Sequence, residues 1–519
     1  MSGRRHAWLV APLLAAMAAA GCGSTVQNTG AAGADQSGLS APSGVTSSTG
    51  QNGGVPTGTS SPPAGAPGGP SAIGGNTSTA AQQSGGAQPS KSLTDQVRSS
   101  TGRVTVKVGI VYLKGLDQAY KAASGGKSAS TDSQGDYAAV IAAINARPGA
   151  RLKLAPTYYA VDASSTQSQA DQQQGACAYF TSDTHVDVVL TYSAGSNGAL
   201  ASCLQQHHIP VIDGFPTAEI GAGTFARLPG LWAPSQLSLD RLGALEPTYL
   251  VGNHWADKQW PASPNCTAVT TPRIGVVTFD RPDWRAMYDH VVAPTFKALG
   301  HPVYDAVFIN VSGSTGEQVA QASSAAQSAV LKFASECIDH VAFISNVVID
   351  YLFMNVAAQQ NYTPRYGLSS LEGPPTIIQN LPTSAASQLH GAMGPGWAPY
   401  ADVSMGDFDA AARAPGAACL QILTKAGHAP TDNNSATLAM PSCDGPMFLA
   451  AVFDRWIASG GTASLLSIVN GLASSYRPAG TFSASYSDRR HDGAAAYRGL
   501  AFVDGCTCFR YVSGLAAAS

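Results

Sequence analysis

The chain has 519 residues, a formal net charge of −3 at pH 7 and 44% hydrophobic residues. This charge gives no basis for binding nucleic acid, and the length is more than one domain needs. Beyond the N-terminal region, no segment reaches the about 18 consecutive apolar residues of a transmembrane helix, so we expect none there.

The N-terminal segment has the layout of a secretory signal. Arg4 and Arg5 precede an apolar run over 7–20, which is shorter than a membrane span of roughly 20 residues. The segment ends in Ala19-Ala20-Gly21-Cys22, which resembles a bacterial lipobox with Ala19 where leucine is usual. We expect 1–22 to be a lipoprotein signal peptide and Cys22 to carry the lipid. The alternative is an ordinary signal peptide with an incidental cysteine.

Residues 23–100 are mostly Gly, Ser, Thr, Pro, Ala and Gln, and Asp35 is their only charge before Lys91. Such a segment cannot bury enough apolar surface to offset the entropy lost on ordering. It predicts a disordered tether, which as a random coil would span on the order of 45–50 Å. A folded domain would then stand away from the membrane.

The cysteine count fits an exported protein. There are nine cysteines, and lipidation of Cys22 leaves eight, which in an oxidising compartment allow up to four disulfides. We expect two bonds within pairs that lie in neighbouring predicted helices or their connections: Cys177–Cys203 and Cys419–Cys443.

The other four cysteines leave alternatives open. Cys266 precedes a predicted strand and could pair with Cys337 at the end of a helix in the same lobe. Cys506 and Cys508 could close a tight ring, or either could pair with Cys266. We expect no metal site at this Cys-Thr-Cys, because no further ligand lies close to it in the sequence.

Predicted strands alternate with predicted helices over the rest of the chain. The first unit has strands at 104–113, 152–161, 186–192 and 209–212 and helices at 137–145, 166–180 and 197–207. The second has strands at 273–279, 303–309, 340–344 and 365–368 and helices at 235–250, 284–299, 315–337 and 348–360. This alternation predicts parallel sheets covered by helices on both faces, and therefore two α/β lobes.

The order and spacing of these elements resemble the type 1 periplasmic binding proteins of ABC transporters, in particular the leucine/isoleucine/valine-binding branch. The resemblance runs from about 104 to 514. It is carried by the helix end Ile144-Asn145-Ala146, by a strand that ends near Asp162, and by the loop Tyr192-Ser193-Ala194-Gly195-Ser196-Asn197.

The resemblance implies two doubly wound lobes that exchange chain segments at three crossings. The first lobe would comprise 101–231 and 395–478, with a helix at 447–459. The second would comprise 232–394 and 479–514, closed by C-terminal strands that include 502–512.

The function implied is that of a lipid-anchored binding protein on the extracytoplasmic face of the bacterial cell membrane. It would capture a small polar ligand, such as an amino acid, an amide or a related metabolite, and deliver it to an ABC permease by closure of the two lobes. We expect a monomer without cofactor, metal or catalytic constellation. The alternative is a ligand sensor or envelope-interaction protein on the same fold.

Candidate ligand-binding residues follow the strands of the first lobe. Tyr192, Ser193, Ser196 and Asn197 lead into a helix N-terminus, where free N–H groups and the helix dipole favour a carboxylate. In the resembled family, this loop holds the carboxylate of the ligand. The alternative is simple capping of the helix.

Two further loops complete the first-lobe candidates. Phe215 and Thr217 follow the next strand, and Thr217 offers a hydroxyl. Trp232 lies at the first crossing, where the amino-acid binders usually carry an acid, and is predicted to close the pocket by stacking. Because the acid is missing, the ligand could be larger, aromatic or less cationic than a simple α-amino acid.

The second lobe supplies the other candidates. Trp284 would place an aromatic ring over the ligand, and Asn346 would offer an amide. Glu372 precedes a glycine where the amino-acid binders carry an acid that pairs with the ammonium of the ligand. The alternatives are helix capping and core packing around Trp284, and a surface acid at Glu372. The sequence His491-Asp492-Gly493 lacks the additional ligands of a metal hydrolase, and we expect a polar turn at the last crossing.

Overall fold

The computed structural model describes residues 93–99, 102–115, 132–162, 165, 167–192, 198–217, 220–310, 316–404, 414–472 and 475–518. The predicted signal peptide, the lipidation at Cys22 and nearly all of the predicted tether lie outside these residues. The predicted site residues Ser193, Ser196 and Asn197 also lie outside them.

The last part of the predicted tether is helical, which corrects the expectation from composition. Helix α1 (Leu93–Ser99) precedes the first strand, and Val97 is buried in the core of the first lobe. The side chain of Gln96 also accepts a hydrogen bond from the backbone N–H of Thr105 at 3.4 Å. The few apolar residues at this end of the segment therefore bind it to the folded part.

The first lobe contains a five-stranded parallel sheet. Its elements are β1 (Val104–Lys114), α2 (Ser133–Asn145), β2 (Leu152–Asp162), α3 (Gln169–Ala178), β3 (Val188–Thr191), α4 (Ala199–Gln206), β4 (Val211–Asp213), α5 (Ala222–Arg227) and β5 (Leu231–Trp232). The strand order is β2-β1-β3-β4-β5. The central strand β3 is buried along its whole length, as expected for a parallel sheet with helices on both faces.

The second lobe repeats this pattern. Its elements are α6 (Leu239–Gly252), β6 (Ile274–Phe279), α7 (Pro282–Met287), α8 (Ala293–Ala298), β7 (Val303–Ile309), α9 (Gly316–Ser335), β8 (His340–Ile344), α10 (Val347–Gln359), β9 (Arg365–Gly367), α11 (Pro374–Asn380) and β10 (Met393–Gly396). At the C-terminus, β11 (Ala496–Val503), β12 (Cys508–Tyr511) and β13 (Ala516–Ala517) extend this sheet. The order is β12-β11-β10-β9-β8-β6-β7, and the strands from β6 to β10 pair in parallel.

Four helices between β10 and β11 lie after the second crossing: α12 (Pro399–Asp402), α13 (Ala414–Lys425), α14 (Asn433–Ala458) and α15 (Leu465–Leu472). Residues of α13, α14 and α15 pack into the core of the first lobe with β1 and α2. The chain thus passes between the lobes after β5, after β10 and after α15. This is a doubly wound, two-lobed α/β architecture with three crossings.

Helix α14 begins earlier than the sequence predicts. The prediction places its start at 447, whereas the helix begins at Asn433 and includes Pro441 and Pro446. Asp432 caps it by accepting a hydrogen bond from the backbone N–H of Ser435 at 2.8 Å. Burial in the first lobe compensates for the hydrogen bonds that the two prolines remove. In the described part of the chain, α14 alone is long and apolar enough to cross a membrane, but it is a core helix.

Four disulfides join the eight remaining cysteines in pairs. Cys177–Cys203 and Cys419–Cys443 form the bonds that the sequence favours. Of the alternatives left open for the others, the structure has Cys266–Cys337 and the tight ring Cys506–Cys508.

The disulfides are expected to stabilise the fold unequally. Cys266 and Cys337 are 71 positions apart, whereas Cys506 and Cys508 are 2 apart. Because a disulfide restricts the unfolded chain more when it closes a longer loop, the loss should be about 4 kcal/mol for the first and about 1.5 kcal/mol for the second. Denaturant unfolding of the two double Cys→Ser variants measures this difference. Equal losses would show that native contacts around the sulfurs decide the stabilisation.

Candidate ligand-binding site

A cavity of about 180 Å³ lies between the two lobes. It is at the carboxyl ends of the parallel strands, where β1, β3 and β4 of the first sheet and β8 of the second lead into loops. This is where ligands bind in open parallel sheets. The lining residues come from both lobes: Leu113, Tyr192, Phe215, Thr217, Asn346, Val347, Val348, Leu371, Glu372, Gly373, Thr376, Ala401, Asn434, Thr437 and Leu438.

The first-lobe wall is mainly aromatic and apolar. The rings of Tyr192 and Phe215 are tilted against each other with centroids 5.1 Å apart, and Leu438 of α14 packs beside them. Gly214 allows this arrangement, because a side chain there would press against the backbone of α14 at Pro441. The hydroxyl of Thr217 adds a polar group to this wall.

The second-lobe wall is formed by the starts of two helices. Asn346 caps α10, and its Oδ1 accepts hydrogen bonds from the N–H groups of Val348 at 3.1 Å and Ile349 at 3.4 Å. Thr376, in the first turn of α11, is 6% exposed. The amino group of Asn346 and the hydroxyl of Thr376 make no hydrogen bond within the described chain.

Glu372 borders the cavity, but its side chain is directed into its own lobe. Its Oε2 accepts hydrogen bonds from the N–H of Ser369 at 2.6 Å and from the hydroxyl of Ser369 at 2.7 Å. Its Oε1 accepts one from the N–H of Ser345 at 3.2 Å. The bond from the N–H of Ser369 is part of the capping box of the short 3₁₀ turn Ser370–Glu372. Glu372 has 0% exposure, so its carboxyl group is not accessible to a ligand in this conformation. Its pairing with a ligand ammonium stays a prediction.

Glu372 belongs to a cluster of three buried carboxyl groups, the others being Glu246 of α6 and Asp350 of α10. Burial raises the pKa of Glu372 to about 8. Burial, and then the charges of Glu372 and Asp350, raise the pKa of Glu246 well above its ordinary value. Burial and the charge of Glu372 do the same for the pKa of Asp350. The cluster therefore holds protons at neutral pH.

Hydrogen bonds satisfy this carboxyl cluster only in part. The hydroxyl of Ser345 donates to Asp350 at 2.5 Å. Ser369 lies close enough to Glu246 to lower its pKa slightly, but it donates its proton to Glu372. Neither carboxyl oxygen of Glu246 has a hydrogen-bond partner in the described chain.

The cluster predicts that the free energy of unfolding falls between pH 5 and pH 8. A carboxyl whose pKa is raised in the folded state binds a proton more tightly there than in the unfolded chain. Protonation of this carboxyl at low pH therefore stabilises the folded protein. This stabilisation is lost as the pH rises through the folded pKa. Glu246→Gln should raise the free energy of unfolding at pH 8 and reduce the slope, because glutamine carries no charge that would have to be buried.

Urea unfolding at several pH values tests this prediction, with Asp183→Asn as the control. Asp183 is exposed, so its loss should leave the slope unchanged. If the slope of Glu246→Gln equals that of the unmodified protein, Glu246 does not contribute to the pH dependence.

The two predicted tryptophans lie away from the cavity. Trp284 is fully buried in the core of the second lobe, where its ring meets Phe279 with centroids 4.7 Å apart. Trp232 stacks on His491 with centroids 3.9 Å apart and is 6% exposed. Of the described candidates, the structure brings Tyr192, Phe215, Thr217, Asn346 and Glu372 to one cavity. Trp232 and Trp284 are core residues. For Trp284, core packing is the alternative that the sequence leaves open.

The segment that contains His491 links two of the crossings. Nδ1 of His491 lies 2.9 Å from the carbonyl oxygen of Leu231. Asp492 accepts a hydrogen bond from the N–H of Ser238 at 2.8 Å and forms an ion pair with Arg241 at 2.6 Å. The predicted polar turn therefore connects the first crossing to the last.

Two more buried carboxyl groups hold the crossings. Asp444 of α14 accepts hydrogen bonds from the hydroxyl of Ser235 and from the N–H groups of Ala479 and Gly480. Burial raises its pKa to about 7. Asp444 thus joins the long helix of the first lobe to both the first and the last crossing.

The middle crossing has a similar arrangement around Asp402. Its carboxyl group accepts hydrogen bonds from the hydroxyls of Ser370 at 2.5 Å and Tyr511 at 2.8 Å, and burial raises its pKa to about 7. Ser370 in turn accepts from the N–H of Trp397 at 2.7 Å, and the indole N–H of Trp397 donates to the carbonyl of Pro216 at 2.9 Å. The crossing is therefore connected to the first-lobe loop that carries Thr217.

Sequence reasoning missed several residues of the cavity, among them Leu113, Thr376, Asn434, Thr437 and Leu438. Three of them lie in the first two turns of α14, which the prediction starts too late. The sequence signal that could have located this helix start is the cap, Asp432 followed three positions later by Ser435. No local pattern distinguishes the residues of this helix that face the cavity.

Solved structures with the same architecture are numerous, although no protein-family model and no curated protein sequence matches this chain. One is a branched-chain amino acid ABC transporter protein from Thermus thermophilus with bound valine, with 14% identity, a TM-score of 0.56, and 80% of this chain and 97% of that chain covered. Another is an ABC transporter solute-binding protein from R. palustris in complex with 4-hydroxybenzoate, with 12% identity, a TM-score of 0.55, and 79% and 96% covered.

A third similar structure is the periplasmic binding protein type 1 from Bordetella pertussis Tohama I. It has 13% identity and a TM-score of 0.52, and covers 79% of this chain and 100% of that chain. This chain has the type 1 periplasmic binding protein fold. The fold that the sequence predicts is confirmed, and the cavity lies between its two lobes.

Proposed function

We propose that this protein is an extracytoplasmic solute-binding protein that captures a small ligand between its lobes for an ABC importer. The observation that carries the proposal is the cavity between the carboxyl ends of two parallel sheets, lined by residues of both lobes. Proteins with this fold include binders of valine and of 4-hydroxybenzoate. Their identity to this chain is too low to transfer either ligand.

The mechanism follows from the division of the cavity wall between the two lobes. A ligand would contact the first-lobe wall around Tyr192 and Phe215 and then be covered by the second-lobe wall around Asn346 and Thr376. It stabilises the closed form only to the extent that it contacts both walls. The closed form would then be presented to a permease in the membrane.

Ligand titration tests the proposal. The purified protein is screened by thermal unfolding against amino acids, amides, hydroxy acids and small aromatic compounds. A ligand present at about 100 times its Kd should stabilise the protein by about 2.7 kcal/mol. X-ray scattering should then show a smaller radius of gyration with ligand. If no compound stabilises the protein, solute capture is rejected.

The membrane anchor is a separate part of the proposal. Cys22 would carry the lipid, and the tether after it would keep a monomeric binding domain near its permease. Replacing Cys22 by alanine should move the protein from the membrane fraction to the soluble fraction without changing ligand affinity. Retention of the variant in the membrane fraction would contradict lipidation at this residue.

A further inference from the structure

Of the uncharged polar side chains that line the cavity, four have a group without a hydrogen bond in the described chain, two from each lobe. Thr217 and Asn434 belong to the first lobe, and Asn346 and Thr376 to the second. Thr217 and Asn434 are each 7% exposed and Thr376 is 6% exposed. Their side chains make no hydrogen bond within the described chain, nor does the amino group of Asn346. Buried polar groups are rarely left without a partner, so these four groups are free to bind a ligand.

The described wall offers no charged group to a ligand. None of its lining residues is Lys, Arg, His or Asp, and Glu372 is its one acidic residue. Glu372 has 0% exposure, and three hydrogen bonds from Ser345 and Ser369 occupy its carboxyl group. A ligand in this cavity does not reach that carboxyl group in this conformation. Against the described wall, a cationic group would therefore be buried without a counter-charge, at a high cost.

The starts of α10, α11 and α14 in the described wall do not compensate an anion either. The N-terminus of a helix attracts anions through its free N–H groups and its dipole. At α10, Asn346 accepts from two of these N–H groups. At α14, the carboxyl group of Asp432 occupies the corresponding position by accepting from Ser435. The starts of α10 and α14 are thus already capped, and the first two residues of α11, Pro374 and Pro375, have no N–H to offer.

Most of the remaining wall is apolar. Tyr192 and Phe215 present a pair of aromatic rings, and Leu113, Leu438 and Leu371 lie around them. A volume of about 180 Å³ accommodates a ring or a short branched chain, and such a body would bury its surface against these side chains.

We propose that the cavity selects a small ligand with an apolar, ring-sized body and an uncharged amide or hydroxyl group, and that it excludes ligands with an ammonium group. Asn434 and Thr376 would bind the polar group from opposite lobes, so they determine specificity and also couple binding to closure. This inference rests on the proposed solute capture and specifies the class of solute.

Three compounds of nearly equal size test the inference: benzamide, benzoate and benzylamine, which are neutral, anionic and cationic at pH 7. Isothermal titration calorimetry with the purified protein should show the tightest binding for benzamide. Benzylamine should bind at least tenfold more weakly. Thr376→Val, which replaces a hydroxyl by a methyl of equal size, and Asn434→Ala should each weaken benzamide binding at least fivefold.

Asp183→Asn, at an exposed position outside the cavity lining, is the control variant and should change the affinity for benzamide less than threefold. Preferred binding of benzylamine would overturn the inference while leaving solute capture intact. Preferred binding of benzoate would overturn it as well. If none of the three binds, this ligand class is rejected, and the wider screen decides separately whether the protein captures a solute.

Discussion

Replacement of Asp444 by alanine is expected to lower the free energy of unfolding by about 3 kcal/mol or more. The carboxyl group of Asp444 is fully buried and accepts hydrogen bonds from Ser235, Ala479 and Gly480. Alanine would leave three buried donors without an acceptor, and each costs free energy because water cannot replace the lost partner. Denaturant unfolding measures the loss.

The control for Asp444 is asparagine, which has nearly the same shape. The side-chain oxygen of asparagine can still accept a hydrogen bond from a donor on one side. Its amino group would face a donor on the other side and cannot accept from it. We expect an intermediate loss for Asp444→Asn. Since Asp444 joins α14 to two crossings, Asp444→Ala should also weaken the binding of any ligand that the unmodified protein closes upon. A loss below 1 kcal/mol for the alanine variant would show that the crossings are held by other contacts.

Replacement of Gly493 by alanine should be comparably destabilising, by about 3 kcal/mol. A Cβ at this position would overlap with the carbonyl oxygen of Pro234 and lie 2.7 Å from the ring of Tyr486. The backbone cannot easily move away, because the N–H of Gly493 donates to the carbonyl of Ala233 at 2.8 Å and its carbonyl accepts from Ser485 at 2.9 Å. The last crossing would have to separate from the first.

Gly505→Ala provides a matched control for this substitution. Gly505 lies in the same C-terminal part of the chain, and a Cβ there would have no atom within 4 Å. Its replacement should change the free energy of unfolding by less than about 0.5 kcal/mol. If thermal unfolding shows similar losses for both variants, the close approach of the two crossings does not limit stability at Gly493.

The elements of the fold were predictable because their signals are local. The buried strands β3 and β6 consist mainly of apolar residues, and the helices between strands follow from apolar spacing. The end of α2 shows a specific case, since both polar atoms of the Asn145 side chain bond the backbone of Leu154 at 2.8 Å. One residue thus fixes the turn from helix to strand that the sequence predicts.

The start of α14 and the end of the tether were not predictable in the same way. Pro441 and Pro446 break the helical pattern, and only burial in the first lobe makes the helix stable through them. Likewise, α1 has too few apolar residues to form a stable helix alone, but Val97 packs into the core of the first lobe and holds the helix there. In both cases tertiary packing outweighs local propensity.

The sequence by itself determined the two α/β lobes, their parallel sheets and the positions at strand ends where a ligand could bind. Only the tertiary structure decided which side chains face the cavity. It turns Glu372 inward because Ser345 and Ser369 satisfy its carboxyl group, and it buries Trp284 against Phe279. It also brings Asn434 and Thr376 to opposite sides of one cavity. Such contacts join residues far apart in the chain, and no local pattern encodes their directions.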